Sequence, residues 1–110
     1  MGFDEDSMLD TEEVVMGIIV NAGHSRSLCY EALNHAKAGD FEHASKLLEM
    51  AAEAGKEAHA IQTKLIEEDE GMGKTTMTLV MVHAQDHLMT SILCREMITE
   101  LVQIYKNKLN

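Results

Sequence analysis

Proline is absent from all 110 residues, so nowhere does a missing backbone N–H or a ring clash force a helix to stop. Glycine is then the strongest breaker, and it falls together with acidic residues in two short stretches between periodic segments, "AGD" at 38–40 and "EEDEGMGK" at 67–74. Aromatic residues make up 4% of the chain while Ala, Leu, Met, Glu and Lys are plentiful, a composition that favours helices over sheets. The expected class is all-α, a single domain of three antiparallel helices. Residues 1–9 are acidic and without periodicity, and read as a disordered leader to a domain spanning 10–110. Asp10 and Glu13 have the spacing of a capping box, which predicts a first helix starting there.

Three apolar stripes support this plan. Val14, Ile18, Ala22, Ser25, Cys29, Ala32 and Ala36 step by four or three residues along the first helix, and Ala44, Leu47, Ala51, Ala54, Ala58, Ile61 and Leu65 repeat the pattern along the second. The third helix is expected from about Thr76 to Lys106. It carries two apolar sectors: Met77, Met81, Ala84, Leu88 and Ile92 on one, Val82, Met89, Leu93, Met97 and Ile104 on the other. A helix of a monomeric bundle hides one face and wets the other. Two apolar faces therefore predict contact with a second subunit as well.

Nineteen acidic against nine basic residues give a formal charge of -10, which disfavours nucleic acid and anionic membrane surfaces and suits a partner presenting Lys or Arg. No basic leader of a signal peptide is visible, and apolar runs such as "VVMGIIV" fall short of a membrane span. Cys29 and Cys94 form no C-x-x-C pair and read as reduced, structural residues of a cytoplasmic protein. "GKT" at 73–75 imitates the tail of a P-loop, but Glu68 stands where the motif needs its first glycine and a helix precedes it, so no nucleotide is expected.

The stretch "VHAQDHLMTS", 82–91, concentrates chemistry on the third helix. His83, Asp86 and His87 fall within a sector of about 100° bordered by apolar side chains. Four readings fit: histidines hydrogen-bonded in a core, a transition-metal site of His at i and i+4 with Asp at i+3, a histidine nucleophile that carries a phosphoryl group, and a helical adaptor without chemistry. Asp86 needs an explanation under each. A carboxylate on an apolar face is costly unless paired, protonated or bound to a cation, and a symmetric interface would bring copies of it together.

"VHAQDHLMTS", with "VVMGIIVNAG" at 14–23, "GDF" at 39–41 and "EAHAIQTKLI" at 57–66, resembles the enzyme IIA component of the lactose/cellobiose class of the bacterial sugar phosphotransferase system, which includes N,N′-diacetylchitobiose. Ala84 places it with the cellobiose/chitobiose branch, since the lactose branch tends to have glycine there. The resemblance covers nearly all of the chain after the leader. It implies a nine-helix homotrimer of three-helix subunits, with His83 accepting a phosphoryl group from phospho-HPr on Nε2 and passing it to a cysteine of the cognate enzyme IIB, through which the chain is partnered with the membrane enzyme IIC. It also implies that three copies of Asp86 share a divalent cation, magnesium, on the trimer axis, and that Gln85 and His87 are neighbours of the active histidine. The alternative is a non-enzymatic helical adaptor or regulator with a structural metal. His83 is expected well inside the third helix, beyond the reach of its N-terminal dipole. His24, His35, His43 and His59 read as surface or satisfied positions, with His59 near enough in pattern to approach the cluster across an interface.

Overall fold

The computed structural model describes the backbone of residues 2–109 and the side chains of residues 12–108. Three helices follow one another, α1 (Gly2–Lys37), α2 (Phe41–Asp69) and α3 (Leu79–Leu109), in a rod of 61 × 22 × 20 Å. α1 packs along both partners, whereas α2 and α3 touch more sparingly. Among the described residues no helix is long and apolar enough to cross a membrane.

α1 departs from the sequence expectation at its start. It begins at Gly2, so residues 2–9 belong to the helix and Asp10 lies within it instead of capping it. No proline or glycine follows Gly2 before Gly17 to break a helix there. The side chain of Asp10 lies outside the described residues.

The first turn follows the sequence closely. The Gly39 N–H donates to Ala36 O at 3.0 Å and the Asp40 N–H to His35 O at 2.9 Å, the two bonds of a Schellman motif, with Gly39 at φ +83°. Glycine is required because a Cβ disfavours that left-handed conformation. Asp40 then caps α2 by accepting from the His43 N–H at 3.1 Å. One aspartate thus closes the first helix and opens the second.

The second connection is organised by another aspartate. Asp69 Oδ1 accepts from the Thr75 N–H at 2.8 Å and Oδ2 from the Gly73 N–H at 3.2 Å. These bonds hold its carboxyl below the ordinary range, the Thr75 bond contributing most. The amides of "GKT" therefore bind the protein's own carboxylate, which agrees with the exclusion of a nucleotide loop.

The small-residue stripes become the core. Ile18, Ala22, Ser25, Cys29, Ala32 and Ala36 of α1 and Ala44, Leu47, Ala51, Ala54 and Ala58 of α2 are buried, while Val14, Ile61 and Leu65 at the far end are half-buried. Two clusters result. One joins Val15, Ile18, Ala58, Met81, Ala84 and Leu88 near the α2–α3 connection, and the other gathers Leu28, Cys29, Ala36, Ala44, Ile98 and Val102 toward the α1–α2 turn. Between them the Ser25 hydroxyl donates to Ala51 O at 2.7 Å, so α1 and α2 approach through small side chains and a buried hydrogen bond.

On α3 the two sectors separate. Met81, Ala84 and Leu88 are buried in the bundle and Ile92 is half-buried, whereas Val82, Met89, Leu93, Met97 and Ile104 are exposed. Met77 of the expected inner sector precedes the helix and is exposed. The largest side chains that are fully buried are Ile18, Met81, Leu88 and Cys29. An alanine-rich interior of this kind buries little apolar area per residue, while much larger side chains face outward.

Candidate functional site: a histidine pair in the α1–α3 groove

α3 starts later than its periodicity suggests. The Thr78 hydroxyl accepts from the Met81 N–H at 3.1 Å and its carbonyl from the Val82 N–H at 3.0 Å, so the helix opens at Leu79 instead of Thr76. His83 is consequently the fifth residue of α3 and lies immediately beyond the first turn. This corrects the expectation that the histidine sits deep in the helix. The dipole acts mainly within the first turn, so it favours an anion near His83 more than a start at Thr76 would allow.

A groove of about 610 Å³ runs between α1 and α3 on the side away from α2, lined by His83, Asp86, His87 and Thr90 from α3 and by Arg26 and Tyr30 from α1, with apolar side chains continuing along it. His83 is exposed at its wall and His87 is half-buried beside it. Their ring centroids are 5.1 Å apart with planes at 85°, an edge-to-face contact that limits how either ring can turn. His87 Nδ1 is buried without a hydrogen-bond partner. An unsatisfied buried nitrogen is uncommon in a group kept for packing alone, and marks the pair as a functional candidate.

Thr90 sends its hydroxyl hydrogen back to its own helix, toward Asp86 O at 2.9 Å and His87 O at 3.2 Å. Its oxygen remains an acceptor on the groove. Arg26 supplies the groove's permanent cation, and the chain's other arginine, Arg95, is half-buried with an unpartnered Nε. Sequence reasoning missed Arg26 and Tyr30 because they flank the buried Ser25–Cys29 stripe of α1. The available signal was an arginine and a tyrosine four residues apart on one helical face of a chain poor in both types.

The structure divides the sequence cluster. His83, Asp86 and His87 share the groove, but Gln85 points about 200° away from His83 around the helix. It accepts a short hydrogen bond from the Gln62 side chain of α2 and approaches the Met81 sulfur, so its place is the α2–α3 contact. His59 is exposed on α2 and does not line the groove. Among the described residues, the trio whose ligand atoms lie mutually within 4.8 Å is His35, Asp40 and His43, not His83, Asp86 and His87. A single-subunit transition-metal centre in the groove is therefore unsupported by its geometry. Cys29 is not an alternative nucleophile: burial first, and the neighbouring Cys94 second, push its thiol up to about 11.

Residues 13–106 match the family described as the lactose/cellobiose specific IIA subunit of the PTS system. The chain belongs to that family. It is 53% identical over 110 residues to the N,N'-diacetylchitobiose-specific EIIA component of Escherichia coli (strain K12), covering 94% of this chain and 95% of that one. It is also 44% identical to the lichenan-specific phosphotransferase enzyme IIA component of Bacillus subtilis (strain 168), over 88% of each chain. Among solved structures, the cellobiose specific enzyme IIA from Bacillus anthracis superimposes with a TM-score of 0.84 at 38% identity, over 87% of this chain and 88% of that one. The E. coli IIA(Chitobiose), solved in complex with HPr, superimposes with a TM-score of 0.79 at 54% identity, over 90% of this chain and 96% of that one. The protein is thus a IIA component of the phosphotransferase system.

Proposed function

We propose that His83 accepts a phosphoryl group from phospho-HPr and passes it to a cysteine of a cognate enzyme IIB, serving uptake of a β-disaccharide such as cellobiose or diacetylchitobiose through a membrane enzyme IIC. The observation that carries this reading is the exposed His83 ring, held edge-to-face by His87 in a groove that also offers Arg26. The similarity to a diacetylchitobiose component solved with HPr points to the donor. In transfer, a lone pair on Nε2 of neutral His83 attacks phosphorus as the donor's nitrogen–phosphorus bond breaks; in the next step the IIB thiolate attacks the same phosphorus and His83 leaves. Phosphoryl transfer asks mainly for positioning and charge stabilisation, which a helical groove can supply without a deep substrate pocket. The work takes place in the cytoplasm.

The same reading assigns the exposed apolar face of α3 to a homotrimer. Val82, Met89, Leu93, Met97 and Ile104 form a strip of large side chains that a solitary rod would leave in water. Asp86 sits within this strip and is exposed, and among the described residues no Lys, Arg or His forms an ion pair with it. A hard carboxylate oxygen from each of three subunits is a suitable donor set for magnesium, which would neutralise the converging negative charge.

The test is incubation with phosphoenolpyruvate, enzyme I and HPr. About one acid-labile phosphate per chain is expected on His83, as for any stoichiometric phosphohistidine. Labelling that persists in His83→Ala would refute the assignment, and no labelling of the wild type would favour a helical adaptor.

A further inference from the structure

At the α1–α2 turn, about 28 Å along the bundle from His83, two histidines and an aspartate converge. The distance follows from Val102, which packs in the cluster of Ala36 and Ala44 and lies nineteen residues beyond His83 on α3. His35 Nδ1 is 3.5 Å and His43 Nδ1 is 3.4 Å from the same oxygen, Asp40 Oδ2. The imidazole rings stack with centroids 4.3 Å apart and planes at 17°. One ligand atom from each of the three residues lies within 4.8 Å of the others.

We infer that this turn is a binding site for zinc or a similar late first-row divalent ion, held by His35, Asp40 and His43, with water completing the coordination. It is separate from the groove and does not depend on the phosphocarrier reading. Two distances suit a metal. Both exceed the N–H···O range of about 2.7–3.2 Å, so neither imidazole makes a good hydrogen bond to Oδ2. Both match the ligand-to-ligand edge of about 3.4 Å expected for a tetrahedron with bonds near 2.1 Å. The stacked rings run their Nδ1 lone pairs side by side in the free chain, so binding an ion requires one neutral imidazole to rotate until both ring planes contain the metal.

The carboxylate ligand and the turn backbone are pre-organised by bonds that do not involve the metal. The Schellman bonds fix Asp40 against the carbonyl of His35, one of the ligand residues. Asp40 Oδ1 is occupied by the His43 N–H, which leaves Oδ2 as the free ligand atom and fixes the carboxylate's orientation. That cap bond is also the main cause that holds the Asp40 carboxyl below its ordinary range, so the ligand is ionised at neutral pH. Asp40 and His43 are exposed and His35 is half-buried, giving an ion access from solvent. Bound there, a metal would clip the last turn of α1 to the first turn of α2.

The experiment is titration of the metal-free full chain with zinc by calorimetry and with cobalt(II) by visible absorption. One ion per chain is expected, with the visible bands of four-coordinate cobalt, and zinc should raise the melting temperature. His35→Gln and His43→Ala should each weaken zinc binding by about tenfold or more. The His43 backbone N–H survives in His43→Ala, so the cap and the fold persist and the loss reads on the ligand alone. A His83→Ala, Asp86→Leu chain should keep the site. Zinc binding that is absent from the wild type, unchanged in both turn variants, or lost with the groove residues would overturn the assignment.

Discussion

Arg26 shows how much a single residue can change the reading of the groove. The chain carries a formal charge of -10, and a phosphoryl group adds further negative charge beside the exposed carboxylate of Asp86. Arg26 faces the same groove from α1 with a permanent charge and a planar fork suited to phosphate oxygens. Arg26→Ala should therefore slow transfer from phospho-HPr by about 10- to 100-fold, with Arg26→Lys recovering part of it. Rates are read by rapid-quench labelling, with helical circular dichroism unchanged. Wild-type rates in Arg26→Ala would remove the guanidinium from the transfer step.

At the scale of an element, the two connections depend on ionised aspartates. Asp40 and Asp69 both have folded-state pKa values below the ordinary carboxylate value, the first chiefly through the His43 N–H and the second chiefly through the Thr75 N–H. A depressed folded pKa contributes stability that is present above the unfolded value of about 3.9 and is lost as pH falls through the folded value. Thermal melts of wild type and Asp69→Asn should therefore differ at neutral pH and converge on acidification below about pH 4. Asparagine has one acceptor oxygen where Asp69 uses two. A melting-temperature gap that stayed constant through the acid range would remove the charge from the explanation.

For the whole molecule, the distribution of apolar side chains is the controlling fact. Alanine fills much of the interior, while Leu93 and Met97 remain 57% and 60% exposed on α3. If the strip closes a trimer, Leu93→Glu should yield helical monomers in sedimentation, because it buries a charge at the interface and leaves the bundle core untouched. Asp86→Leu should do the reverse and keep a trimer that no longer responds to chelator, since apolar packing replaces a cluster of like charges. Dissociation of Asp86→Leu would show that the carboxylate does more than hold a cation.

The all-α class, the Gly39–Asp40 turn and the small-residue stripes were legible in the sequence, because each rests on local backbone chemistry or on a period of 3.6 residues. Side-chain identity likewise marked His83 and Asp86, and the two sectors of α3 were visible as periodicity before either was known to be buried. Helix starts were less legible: α1 runs on to Gly2 because nothing stops it, and α3 waits for the Thr78 cap. Three facts needed the tertiary structure. Gln85 turns toward Gln62 of α2, Arg26 arrives in the groove from α1, and His35 meets His43 across a turn. Each joins residues separated by a helix crossing or a chain reversal, where no sequence spacing specifies the distance between side chains.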